Sequence, residues 1–370
     1  MSIADRVGAT GSGTVSGTQI PSGSVESTAL TAAAIRNGDE EAFNHLAGRH
    51  RRELLIHCYL MLGSLDDAED AVQDALLRAW RYRESLIEGA PLRPWLYRVA
   101  TNVCLDAIAR DERRSVLAAK SVENGAPPSP DEVLWLQPIP DSLIEPISQH
   151  DADPEMIVLS RETIELAFLT VIQFLTPQQR AALILCDVLG WSAKEAAGLL
   201  DVSTAAVNSA LQRARVTLQR RLPSRRPEWP PGEDPSVAER ELLKKIVDAS
   251  EKADLEAFTS IIRDDAIFRM PPQPGIVVGR DAMFKLWVDG GFGSERFGRL
   301  RSVLTRANLQ PAVAHYVLSP GDAAWRALAL DVLRIEEGII TEIVTFAGPV
   351  FPRFGLPLTM AEQAGGERTQ

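Results

Sequence analysis

"WSAKEAAGLLDVSTAAVNSALQRAR" runs from Trp191 to Arg215. It starts as an amphipathic helix, breaks at Asp201-Val202-Ser203 and resumes as a second helix that ends in arginines. Ser192 with Glu195 three residues on makes a capping box, and Trp191 and Ala196 are spaced for a hydrophobic staple. Ser203 caps the next helix, with Val202 and Val207 as a second staple. Upstream, Thr176-Pro177 with Gln179 starts another helix, with proline at its first position. Three helices therefore follow one another with short turns. The last buries Val207, Leu211, Ala214 and Leu218, a single apolar stripe. Its other face carries Thr204, Ala205, Asn208, Ser209, Gln212, Arg213 and Arg215. Small polar residues at the start of such a helix let it enter a major groove, where Asn, Gln and Arg bond base edges. Arg220, Arg221, Arg225 and Arg226 continue the charge, with no acid between Ser203 and Arg226. Such a run suits phosphate. The same pattern fits a three-helix bundle with a solvated basic face. By itself it does not separate a repressor, a response-regulator output domain and a promoter-recognition factor.

The rest of the chain sets the context. At 370 residues there is room for two or three domains. The net charge of −11 is unlike a DNA-binding protein, so the local distribution of charge matters more than the total. No apolar run reaches membrane-spanning length, and the N-terminus lacks the basic start and apolar core of a signal peptide, so a cytoplasmic location is expected. Cys58, Cys104 and Cys186 share no metal or disulfide spacing and read as buried, reduced thiols. Residues 1–28 are rich in Gly, Ser and Thr and read as a disordered tail, with room for a start downstream of Met1. Residues 29–115 read as all helix: "EEAFNHLAGRHRRELLIHCYLML", ended by Gly63; an acid-crowded helix capped by Ser64; and "WLYRVATNVCLDAIARDERR". Residues 116–155 form an acidic, proline-rich linker. Its Trp135, Leu136, Ile139 and Leu143 are too apolar for an inert spacer, and it is expected to lie along a surface. Residues 156–222 hold the helix-turn-helix, and 223–235 form a second linker. In 236–357 two helices, a short strand "AIFRM", a "PPQPG" turn and another helix precede four segments with a period near two. These predict an α+β domain with an antiparallel sheet and helices on one face. The tail 358–370 reads as loose.

"LTPQQRAALILCDVLGWSAKEAAGLLDVSTAAVNSALQRARVTLQRRL" resembles region 4 of sigma-70-type initiation factors. "YLMLGSLDDAEDAVQDALLRAWRYRESL" with "LRPWLYRVATNVCLDAIAR" resembles region 2, in the right order. With no region 1 or region 3 evident, the resemblance is to the extracytoplasmic-function (ECF) class. "WLQPIPD" and the C-terminal extension are similar to a subgroup, with SigG-type members, that carries a SnoaL-like domain. The resemblance implies a mixed fold: two all-α sigma domains, a helical bundle and a helix-turn-helix, followed by an α+β SnoaL-like domain of the NTF2 superfamily. It implies a sigma factor that binds core RNA polymerase and directs it to promoters, the −10 element read by region 2 and the −35 element by region 4. Its partners would be the polymerase β′ clamp helices and β flap, and promoter DNA. An anti-sigma factor or a small apolar ligand are further candidates. No cofactor, metal or catalytic residue is implied.

The resemblance also assigns residues. Asp67, Glu69, Asp70, Gln73 and Asp74 would dock on the clamp helices, an acidic and amide surface meeting a basic one; acids here also complement the helix N-terminus. Arg93, Trp95, Tyr97, Arg98 and Asn102, with loop 85–90, would melt and hold the −10 element through cationic and aromatic groups. Trp95 and Tyr97 fit core positions equally well. Thr204, Asn208, Ser209, Gln212 and Arg213 would read the −35 element, with Arg215 and Arg220 on phosphate. Asn208 and Ala210 depart from the commoner basic residues of the family. The acidic linker would occupy a nucleic-acid channel or act only as a spacer.

In the C-terminal domain, SnoaL-like relatives include enzymes that need a pocket acid or base. Trp287 and Asp331 are the pocket candidates here. His315 and Tyr316 are adjacent on a strand and must face opposite ways. Asp331 reads better as an acid with a structural partner than as a catalyst. The loops "VDGGFG" and "ANLQPAVAHY" are expected to touch the helical domains, so that the extension regulates them. A helix-turn-helix regulator fused to a SnoaL-like enzyme is the alternative.

Overall fold

Helices start and stop where the sequence provides caps. The computed structural model describes residues 32–87, 92–110, 133, 135–144, 161–222 and 237–361. The expected tail 1–28, the linker 223–235, Arg225 and Arg226, residues 88–90 of the −10 loop and much of the acidic linker lie outside the described residues. In the first helical unit, α1 (Glu40–Leu62) is capped by Asp39 and ended by Gly63 at φ 76°. A side chain at Gly63 would also press on Gln173. Helix α2 (Leu65–Arg81) starts at Ser64, whose hydroxyl accepts from the Asp67 N–H. Helix α3 is Leu92–Ala109. Leu54, Val72, Ala75, Leu96 and Ala100 are buried between them, as are the free thiols Cys58 and Cys104.

The second helical unit contains α4 (Leu166–Gln173), α5 (Pro177–Leu183, continued by a π turn over Ile184–Val188), α6 (Ala193–Leu200) and α7 (Thr204–Arg221). Both capping boxes form, at Thr176 and Ser192. Asp201 turns the chain in the left-handed region, a conformation its short polar side chain tolerates, and Ser203 caps α7.

The third unit begins with α8 (Val237–Lys252) and α9 (Leu255–Thr259). It continues with β1 (Ile262–Met270), β2 (Gln273–Val278), α10 (Arg280–Asp289), β3 (Arg299–Ala307), β4 (Gln310–Leu318), β5 (Ala324–Glu336), β6 (Ile339–Ala347) and β7 (Thr359–Ala361). The sheet order is β2-β1-β6-β5-β4-β3, with β7 on β5. Three expectations need correction. The sheet is mixed: β1 runs parallel to β6, because the whole chain between them serves as a long crossover. The "PPQPG" segment is no mere turn, since β2 starts inside it as an edge strand, where proline is tolerated. Finally, the chain beyond Pro357 is held to Ala361, because β7 pairs with β5 at Trp325 and Met360.

Both faces of the sheet are covered. Val313, Leu333, Ile343 and Phe268 face α8 to α10. Ala312, Ala314, Tyr316, Leu330, Val332 and Phe346 on the other face belong to one core with both helical units. The expectation of helices on a single face therefore describes only half of the packing.

The units meet at the C-terminus of α1. The final carbonyls of a helix have no partner within it. Here the Leu60 carbonyl accepts from Gln173 Nε2 (3.2 Å), that of Met61 from Arg180, that of Leu62 from Trp135 Nε1 (3.0 Å) and that of Gly63 from the Gln137 N–H (3.0 Å). Arg180 is buried and also donates to the carbonyls of Ile172 and Gln173 and to the Gln173 side chain. A second joint is Asn308, fully buried at the β3–β4 turn at φ 56°. Its amide nitrogen donates to Tyr59 Oη (2.8 Å) and the Ile164 carbonyl (2.9 Å), and its amide oxygen accepts from the Ile139 N–H (3.0 Å). Asp141 holds Arg306 (2.7 Å) and the Leu309 N–H (2.8 Å), and Gln310 accepts from the Leu166 N–H (2.9 Å). The "WLQPIPD" segment thus lies in the seam, with Leu136 and Ile139 buried.

Arg180→Met should cost about 3 kcal/mol or more in urea unfolding, because several buried carbonyls lose their donor together. A smaller loss than about 1 kcal/mol would contradict this account. His57 is buried against Thr101 (2.9 Å), and burial lowers its pKa to about 4. The unfolded chain, with an ordinary value near 6.5, takes up the proton first as pH falls. Stability should therefore be full above pH 6.5 and drop by about 3 kcal/mol toward pH 4. His57→Gln should remove that part of the slope.

Candidate functional site

Helix α2 presents a charged face to solvent. Asp66, Glu69, Asp70, Gln73 and Leu77 recur at i, i+3, i+4, i+7 and i+11 and so share one stripe. Asp66, Asp70 and Gln73 are exposed, and Leu77 is 57% exposed. Asp67 and Asp74 lie to one side, where Asp74 pairs with Arg78 at 3.0 Å. The docking candidates are thus divided, with Glu69, Asp70 and Gln73 on one stripe beside Asp66, and Asp67 and Asp74 on its flank.

Helix α3 divides its candidates more sharply. Trp95, Arg98 and Asn102 follow helical spacing, and Arg98 and Asn102 are exposed beside a half-buried Trp95. Tyr97 is fully buried, and this corrects its assignment to DNA: its hydroxyl donates to Glu53 (3.1 Å) and its ring packs 5.3 Å from Trp191 of the second helical unit. Arg93 is engaged inside the protein as well. It bonds Glu53 at 2.8 Å and lies over the rings of Tyr97 and Trp191. Burial pushes the Glu53 carboxyl up, but the hydrogen bond from His50 and the charge and hydrogen bond of Arg93 outweigh it and hold it low. Burial also keeps the Tyr97 phenol protonated.

On α7 the buried stripe is Val207, Ala210, Leu211 and Ala214. Thr204, Asn208, Gln212, Arg213, Arg215 and Arg220 are exposed and Ser209 is partly so. Arg213 donates to Ser209 Oγ (2.8 Å). Arg215 is held by both oxygens of Asp187, at 2.9 and 2.7 Å, so any phosphate must compete with that carboxylate.

In the third unit, Trp287 joins Phe258, Phe268, Phe284 and Phe292 in an aromatic cluster. Asp331 has the acid–base neighbour that sequence reasoning did not place. His315 Nε2 lies 3.3 Å from it, Thr345 donates to it at 2.6 Å, and Ser302 Oγ meets His315 Nδ1 at 2.9 Å. Cross-strand pairing brings these four together from β3, β4, β5 and β6. Tyr316 faces the other way, onto Phe351.

Three family models match in chain order: sigma-70 region 2 over residues 46–114, sigma-70 region 4 over 165–218 and the SnoaL-like domain over 243–343. The ECF RNA polymerase sigma factor SigG of Mycobacterium tuberculosis is 39% identical over 328 residues, which is 87% of this chain and 85% of that protein. The chain belongs to the ECF sigma-factor family. Like its relatives, this sigma factor acts in promoter-directed transcription initiation with core RNA polymerase. The ECF RNA polymerase sigma-E factor of Escherichia coli is 28% identical over 196 residues, 51% of this chain and 90% of that protein. The crystal structure of the Mycobacterium tuberculosis sigma factor SigJ shares the fold, with a TM-score of 0.54 at 21% identity, covering 85% of this chain and 99% of that one.

The sequence signals missed Asn308, Asp141, Arg180 and Arg353, which join the units. "ANLQPAVAHY" and "WLQPIPD" pointed toward that seam, but the "VDGGFG" loop, also expected to touch the helical domains, instead packs Phe292 into the third unit's own aromatic cluster. Among the described residues, no helix is long and apolar enough to cross a membrane.

Proposed function

We propose that this sigma factor rests in a closed form and that engagement with core polymerase opens it. The observation that carries the reading is the stacking of Tyr97 and Arg93 of α3 on Trp191, at the start of the helix-turn-helix. The −35 and −10 elements lie about 25 base pairs apart, or about 80 Å at about 3.4 Å per step. With α3 and α6 in contact, one chain does not span that distance. The stripe on α2 docks on the β′ clamp helices. Trp95, Arg98 and Asn102 face the −10 strand, and opening frees Arg93 to join them. On α7, Asn208, Ser209, Gln212 and Arg213 read the −35 element, with Thr204 beside them, and Arg215 and Arg220 hold phosphate. The protein works in the cytoplasm, where polymerase is.

The C-terminal unit regulates rather than catalyses. Ser302, His315, Asp331 and Thr345 bond to one another, which suits a structural network better than a waiting acid or base. Meanwhile Asn308 ties this unit to both helical units and Asp141 ties it to the linker, which makes it a brace on the closed form.

Run-off transcription with core polymerase and genomic DNA tests the whole reading, and it fails if the full chain uses no promoter. On an active promoter, Gln212→Ala or Arg213→Ala should lower output about 5- to 150-fold, in line with about 1–3 kcal/mol per base contact. Asn308→Gly keeps the left-handed backbone but removes the side-chain bonds. It should raise promoter output while circular dichroism stays unchanged; equal output would refute the brace.

A further inference from the structure

The acidic stripe of α2 is already touched from within the chain. After β6 the backbone makes a 3₁₀ turn over Gly348–Phe354. Phe351 anchors this turn, fully buried and edge-on to Tyr316 with ring centroids 5.0 Å apart. The turn projects Arg353 onto α2. One guanidinium nitrogen donates to Glu69 Oε1 at 2.8 Å, and the other terminal nitrogen pairs with Asp66. The second Asp66 oxygen accepts from Gln137 Nε2 of the linker at 2.8 Å. Two carboxylates three helix positions apart are thus bridged by one cation from a different unit, nearly three hundred residues away in sequence.

The remainder of the stripe is open. Asp70 and Gln73 are exposed, and the exposed Leu77 extends the surface by an apolar contact. An acid, an amide and an aliphatic group in line fit a basic amphipathic helix. Arg353 fills the place that one cation of such a helix would take. The pair is partly exposed, and such pairs are weak enough to exchange with an incoming competitor. Phe351, β7 and the Asn308 joint hold the C-terminal unit independently, so the arginine can leave without the unit detaching.

We propose that Arg353 is an internal stand-in for a basic side chain of the polymerase, and that core polymerase must displace it from Asp66 and Glu69 to seat on α2. The inference rests on the reading that α2 docks on polymerase. It gives the C-terminal unit a direct part in access to polymerase, separate from its brace on the helical units.

The test is equilibrium binding of fluorescently labelled full-length sigma factor to core polymerase. Arg353→Ala should bind about three- to ten-fold tighter, with thermal unfolding unchanged, and Arg353→Lys should return most of the wild-type affinity. Equal or weaker binding by Arg353→Ala would overturn the proposal. Gln73→Ala separates the two layers, because Gln73 lies on the stripe beyond Arg353. If Gln73→Ala weakens binding while Arg353→Ala does not tighten it, the stand-in fails and the docking face survives. If Gln73→Ala leaves binding unchanged, the docking face fails and the proposal with it.

Discussion

Helix α1 ends with its last carbonyls pointing into protein rather than water. Each buried acceptor must find a donor or cost about 1–3 kcal/mol. The donors come from elsewhere: Gln173 and Arg180 from the second helical unit, Trp135 and Gln137 from the linker. Arg180 also places a cation at the negative end of the helix dipole. The position of the helix-turn-helix, the path of the linker and the seat of Asn308 beside Tyr59 all follow from satisfying one helix end. Three units that could have hung separately on linkers are drawn into one body.

That body has to be reconciled with a task carried out at two distant stretches of DNA. The contacts differ in how readily they can be given up. The Tyr97–Trp191 stack and the partly exposed ion pairs of Arg353 and Arg215 are modest in energy. The Arg180 and Asn308 networks are buried and fully engaged. The arrangement therefore has soft contacts over the faces proposed for DNA and polymerase, and hard ones at the seam. Opening for function needs the first kind to yield before the second.

Local physics carried the sequence reading a long way. The capping boxes at Thr176 and Ser192, the stop at Gly63 and the four strands after Gly298 are short-range patterns, and the structure repeats them. Spacing alone found Val207, Leu211 and Ala214 of the buried face of α7, but Ala210 joins them and the expected Leu218 is only half-buried. The candidate site was legible as faces, but not as individual residues. Tyr97 fitted core and DNA-facing positions equally well, whereas Asn102, polar in an apolar run, pointed outward more clearly, and the arrival of Trp191 from the second unit places Tyr97 in the core. Asn308 was marked only as part of a loop expected to meet the helical domains, because its own partners lie on three other segments. His315 and Asp331 are sixteen residues apart on neighbouring strands and stand diagonally across the ladder, Asp331 opposite Val313 and His315 opposite Ala329. Strand pairing, unlike strand existence, is non-local information.

Strand β4 has eight of its nine residues buried, since aromatic and aliphatic groups crowd one side while the helical units press on the other. It acts mechanically as a partition shared by two rooms. A close-packed wall has little slack, so a side chain displaced on one side is felt by its neighbours on the other. Val313 packs with the core beneath the aromatic cluster, while Ala314, one residue along the same backbone, and Tyr316 pack with the helical units. The C-terminal unit is therefore less a detachable appendage than a wall held in common with the helical units.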